Sequence, residues 1–141
     1  MKVPDTNVLL HSVHRASPSH ASALTWLQES LNSDQGVGFG WLALVGFVRI
    51  ATQARIIQPA LPTAVALEAV SDWLAYPNAH VLHPGERHAD IFARLLLVAG
   101  TAGNLTNDAH LAALAIEHHA ELGTFDRDFK RFAGLKLQLL T

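Results

Sequence analysis

Lys2-Val3-Pro4-Asp5-Thr6-Asn7-Val8-Leu9-Leu10 begins as a short strand, stops on an aspartate and turns into a helix or turn over Val8–His14. Leu122-Gly123-Thr124-Phe125-Asp126 uses the same device far along the chain, again a short apolar run closed by aspartate. Between the two, apolar residues recur at helical spacing and are broken by short strand-like runs. Ser19–Leu31 is a predicted helix, with Ala23, Leu24, Leu27 and Leu31 on one face. Gly36–Phe39 is a predicted strand and Leu42–Thr52 a helix. Pro62-Thr63 opens another helix with Leu67, Val70, Trp73 and Leu74 as its stripe, because a proline loses nothing at a helix start. Ala79–Leu82 is a strand, and Arg87–Ala99 a helix stopped by Gly100. A helix capped by Thr106 or Asn107 runs to about His119, and Leu135–Leu139 is a last strand.

Strands that alternate with helices predict an α/β fold with a mainly parallel sheet. In such sheets ligands bind beyond the carboxyl ends of the strands, where the strand order reverses. Asp5 and Asp126 each follow directly on a strand. If those two strands are parallel neighbours, both aspartates share one edge. Asp108, in the first turn of a helix, is placed to reach the same edge. Like charges so gathered raise one another's pKa and call for a proton or a hard cation. Oxygen donors alone select Mg²⁺ or Mn²⁺ over zinc.

The chain has 141 residues, which fits one domain spanning 1–141. Half of the residues are hydrophobic and only 16% are charged, against about 25% in typical soluble domains. This composition excludes a disordered chain and points to apolar surface covered by a partner. The net charge of −2 gives no global attraction for nucleic acid, so any such contact needs a local basic patch. Cysteine is absent, which removes disulfides, thiolate zinc sites and a cysteine nucleophile. Met1–Asp5 holds no apolar signal core and no stretch is long enough to span a bilayer, so a cytoplasmic location is expected, with secretion left open.

Three segments carry a resemblance. Asp5-Thr6-Asn7-Val8-Leu9-Leu10, Asn107-Asp108-Ala109-His110-Leu111-Ala112-Ala113-Leu114-Ala115 and Thr124-Phe125-Asp126-Arg127-Asp128-Phe129, with Phe47-Val48-Arg49-Ile50-Ala51-Thr52 beside them, resemble the PIN-domain family and, within it, the VapC-type ribonuclease toxins. The resemblance covers nearly the whole chain. It implies a three-layer α/β/α fold and a divalent-metal-dependent endoribonuclease that uses metal-activated water. It implies the toxin half of a toxin–antitoxin pair, a VapB-type antitoxin and a homodimer. Carried over by position, Asp5, Asp108 and Asp126 are the catalytic and metal-holding acids. Asp128 is an auxiliary acid, and Asn7 and Thr124 orient carboxylates or water. The expected substrate is RNA in single-stranded or loop regions, where bases are accessible.

One departure stands out. The family usually places a glutamate three residues before the arginine of the Arg49 helix, and here that residue is Gly46. This opens an alternative: a catalytically impaired PIN domain that binds RNA or antitoxin. Glu86 and Asp90 are the nearest replacements in kind. Pro4 is expected at a strand terminus, since it donates to no ladder.

Arg127, Lys130, Arg131 and Lys136 gather basic charge near the proposed site, and the first three are candidate RNA contacts. Phe129 and Phe132 read as core anchors. Trp26 and Trp73 read as core or interface residues, and Trp41 as an interface aromatic. The nine histidines form no HExxH pattern. Competing α/β phosphate chemistries lack their residues: Asn7 stands where a haloacid-dehalogenase-type phosphatase needs a second aspartate, and no Walker loop is present. An antitoxin is expected to lay an amphipathic helix on the apolar surface and to send an arginine into the acidic cleft.

Overall fold

A computed structural model describes every residue from Met1 to Thr141. Five strands, β1 (Lys2–Pro4), β2 (Val37–Gly40), β3 (Ala79–Leu82), β4 (Glu121–Thr124) and β5 (Lys136–Leu139), form one sheet in the order β3-β2-β1-β4-β5. All four pairings are parallel. Six helices complete a three-layer α/β/α fold: α1 (Thr6–Val13), α2 (His20–Asn32), α3 (Trp41–Ala51), α4 (Thr63–Leu74), α5 (His88–Ala99) and α6 (Leu105–Glu117). The chain builds outward from β1 to β3, then returns to place β4 on the other side of β1. The order therefore reverses between β1 and β4, which is where an open parallel sheet leaves a crevice.

The register explains why Asp5 and Asp126 meet. Lys2, Val3 and Pro4 face Glu121, Leu122 and Gly123, so both strands end at the same level. Pro4 is the last residue of β1, and the β1–β2 pairing holds only at Lys2 and Val37. The lost N–H of Pro4 thus falls where the ladder has already lapsed. Asp5 follows undistorted, its N–H donating to Gly123 O at 3.0 Å.

The buried apolar residues form one cluster, to which every helix and β1 to β4 contribute. All four residues of β2 are buried, as expected for a strand covered on both faces. Trp26 and Trp73 belong to this core, and Phe129 packs edge-on against Phe132 with ring centres 5.7 Å apart.

Two sequence expectations need correction. Helix α6 starts at Leu105 with Asn104 as its N-cap, not at a cap on Thr106 or Asn107. Burial of Leu105 anchors an extra part-turn there, at the edge of the core. Helix α4 buries Ala66, Val70 and Trp73 and leaves Leu67 52% exposed, so the small Ala66 holds the inner position expected for Leu67. Trp41, Val45 and Leu67 line one apolar hollow on the outer faces of α3 and α4.

Candidate active site

Asp5 caps α1, its Oδ1 accepting the Thr6 N–H at 2.7 Å. Its Oδ2 accepts the Thr124 hydroxyl at 2.7 Å. That hydroxyl, fully buried at the end of β4, also accepts from Asn7 Nδ2 at 3.1 Å and from the Asp126 N–H at 3.0 Å. Its single proton and its lone pairs are all used. Asn7 Oδ1 accepts the Phe125 N–H at 3.2 Å, tying the start of α1 to the loop after β4. Asp126 Oδ1 in turn accepts the Asp128 N–H at 2.9 Å and caps a short 3₁₀ turn, Arg127–Arg131. Asn7 and Thr124 thus hold Asp5 and the Asp126 backbone in fixed relation.

Thr124 lends itself to a direct check. Thr124→Val removes the hydroxyl and leaves Asp5, Asn7 and Asp126 short of a partner, at an expected cost of about 2–3 kcal/mol. Thr124→Ser keeps the hydroxyl and is expected to cost about 1 kcal/mol through the lost methyl group. Urea unfolding of the two variants measures the difference; equal losses would remove Thr124 from this role.

Asp5, Asp108 and Asp126 line one cavity of about 290 Å³, together with Asn7, Asn104, Asn107, Gly46 and Arg49. Burial is the main cause that raises the Asp5 carboxyl above its ordinary value, with the charge of Asp126 adding to it. Asp108 is pushed up to about 7, first by burial and then by the charges of Asp5, Asp126 and Asp128. The three aspartates expected from sequence therefore converge on one cavity at the carboxyl ends of β1 and β4. They do not close within a few ångströms of a common point: no three His, Asp or Glu side chains are grouped as ligands for one ion. The physical reason lies in the hydrogen bonds above, which turn Asp5 toward Thr124 and the start of α1, and Asp126 toward its own 3₁₀ turn.

Asp128 is exposed and stands 4.0 Å from Arg131. Arg131 and Asp128 line a second hollow, of about 410 Å³, which also touches Asn104, Asp108 and Asp126. Arg127, Lys130 and Lys136 line neither cavity. Glu86 and Asp90 line neither as well, so they do not replace the missing glutamate. Gly46 has a packing explanation: a Cβ there would stand 2.8 Å from Thr6 Oγ1, whose hydroxyl donates to Ala43 O. Sequence reading missed Arg49 as a site residue, although its place in a quoted motif on α3 was the available signal. His88, His110 and Glu117 cluster apart from the aspartates, with His88 Nε2 3.0 Å from His110 Nδ1.

An α/β/α sheet with carboxylates gathered at its switch point, together with a match of the PIN domain model to residues 2–135, defines the class: this is a PIN domain. Ribonuclease VapC37 of Mycobacterium tuberculosis is 48% identical over 136 residues, covering 96% of this chain and 94% of the relative. Ribonuclease VapC33 of the same organism is 46% identical over 136 residues, covering 96% and 95%. The chain belongs to the VapC branch of the PIN-domain family. Among solved structures, VapBC2 from Rickettsia felis, bound to a DNA fragment from its promoter, superposes with a TM-score of 0.72 at 16% identity, covering 99% of this chain and 98% of that one. FitAcB from Neisseria gonorrhoeae gives 0.67 at 20% identity, covering 97% and 96%. At those identities the likeness concerns the fold. No helix is long and apolar enough to cross a membrane.

Proposed function

We propose that the chain is the toxin of a toxin–antitoxin pair, an endoribonuclease that depends on Mg²⁺ or Mn²⁺ and cuts RNA in single-stranded or loop regions. The observation that carries this reading is the convergence of Asp5, Asp108 and Asp126 on one cavity at the switch point of the sheet. The ribonuclease names of its relatives support it.

The donor set fits a hard divalent cation in chemistry. Every donor is oxygen; burial and then the charges of Asp5, Asp126 and Asp128 raise Asp108, and a cation relieves that repulsion. Mg²⁺ keeps several waters and is held through one or two carboxylates, so it does not require three side chains closed on one point. Asp5, Asp108 and Asp126 would hold it, and it would supply Lewis acidity toward a phosphoryl oxygen and a lowered pKa for water. Thr124 and the Thr6 N–H hold both oxygens of Asp5 in place. Asp126 is oriented through the Asp128 N–H. Water attacks phosphorus in line, the P–O3′ bond breaks, and the products are a 3′-hydroxyl and a 5′-phosphate.

A VapB-type antitoxin restrains this activity. An apolar cavity of about 340 Å³, lined by Leu10, Val13, Ala51, Ile57 and Leu61, shares Leu10 with the acidic cavity and offers a seat for an amphipathic helix. The outer face at Trp41, Val45 and Leu67 suits the homodimer, with Arg49 lining both that hollow and the acidic cavity. The cytoplasm is the place of action. The ribonuclease names of the relatives favour this reading over the impaired alternative, and Gly46 is accommodated by the close approach of Thr6.

The test is incubation of purified protein with total RNA in Mg²⁺, Mn²⁺ or chelator, followed by mapping of the ends. Cutting in either metal, with 5′-phosphate ends and none in chelator, is expected. RNA left intact in every condition, or cut equally in chelator, overturns the proposal.

A further inference from the structure

We infer that Arg49 and Arg131 grip backbone phosphates of one RNA strand on opposite sides of the acidic centre. This rests on the nuclease reading above and goes beyond it by assigning the path of the strand.

A polyanion approaching three carboxylates meets repulsion, and the net charge of −2 supplies no general attraction. Local cations must offset this. Two cavities meet at the acidic centre, sharing Asn104, Asp108 and Asp126. Each holds one cationic side chain: Arg49 from α3 in the first, and Arg131 from the 3₁₀ turn in the second. A strand that places one phosphate at the centre therefore has a guanidinium on either side. The planar fork of arginine matches phosphate oxygens two at a time.

Arg49 has the freer charge. It is exposed and its side chain makes neither a hydrogen bond nor an ion pair. It lines the same cavity as Asp5, Asp108 and Asp126. That cavity has a volume of about 290 Å³, room for a phosphate between its walls. Arg131 is held only by its 4.0 Å approach to exposed Asp128, a contact weak enough for a phosphate to displace.

The experiment uses an RNA oligonucleotide with a single cut site. Arg49→Ala and Arg131→Ala are each expected to raise KM about tenfold, from the loss of a charge-assisted bond, with kcat changed less than about twofold. Arg49→Lys should recover part of the loss. Arg55→Ala, exposed and outside both cavities, is the control. Shortening the RNA on one flank should erase the penalty of Arg49→Ala alone, and shortening the other flank that of Arg131→Ala alone.

Binding of the same RNA to the Asp5→Asn protein gives a readout that requires no cutting. Each arginine removed should reduce the slope of log affinity against log salt by about 0.7. Unchanged KM and slope overturn the inference, as does erasure of both penalties from the same flank. So does a loss confined to antitoxin binding, which would make Arg49 a partner contact. RNA held through both arginines but never cut would refute the nuclease reading and leave the two-sided grip standing.

Discussion

Asp5→Asn is expected to lower RNA cleavage by about 10³-fold, the scale of removing one preorganised electrostatic group from an active site, while the protein stays folded. Asparagine has the shape of aspartate and keeps an oxygen for the Thr6 N–H, so the cap on α1 survives. What it loses is the negative charge at the carboxyl end of β1 and the oxygen that accepts the Thr124 hydroxyl. Asp5 is only 9% exposed, and burial raises its pKa. Removing this buried charge offsets the lost Thr124 hydrogen bond, and the melting temperature is expected to stay close to that of the wild type. Activity and stability thus move apart. Rates on a defined RNA and thermal melts of the same preparation check both. A variant that keeps more than a tenth of the wild-type rate would remove Asp5 from the chemistry. A variant that loses activity together with several degrees of melting temperature would make it a structural cap.

The fold was legible because the sheet is parallel and its strands end on recognisable signals. Asp5 and Asp126 each close a short apolar run, and strand order follows once β1 and β4 are neighbours. The hub role of Thr124 was readable in kind from the motif around it, but not its hydrogen bonds, which join residues more than 100 positions apart. The start of α6 was misplaced because Asn104, Thr106 and Asn107 are all capping residues by type, and only the burial of Leu105 selects Asn104. Leu67 was assigned inward because hydrophobicity alone cannot tell the core-facing Ala66 from an outer face left apolar. Arg49 was quoted only as part of a motif, since nothing local shows that α3 brings it to the cavity containing Asp108. The spacing of the three carboxylates was also beyond sequence. It depends on which backbone amides compete for their oxygens.

Asp108→Asn is expected to stabilise the metal-free protein while removing its activity. Asp108 ionises near pH 7 in the folded chain, against an ordinary value of 3.8. Below pH 3.8 both folded and unfolded chains carry the proton, and the site costs nothing. As pH rises toward 7 the unfolded chain gives up its proton while the folded chain retains it, so stability falls across this window. Above 7 the cost is complete, because the folded chain then carries the charge beside Asp5 and Asp126. Taken in full, the difference between 3.8 and about 7 corresponds to about 4 kcal/mol. The cavity is open to solvent on one side, and screening reduces this to about 2 kcal/mol. Asparagine at 108 avoids the cost altogether. Its melting temperature at pH 8 should exceed that of the wild type by about 5 °C, and the gap should shrink to roughly a third at pH 5. Mg²⁺ should also narrow it, since a cation bound only by the folded chain stabilises the wild type. A gap independent of pH would indicate a packing effect. No gap at pH 8 would show that neither burial nor the neighbouring carboxylates disfavour the charge of Asp108, and with that the reason for a cation in this cavity would be gone.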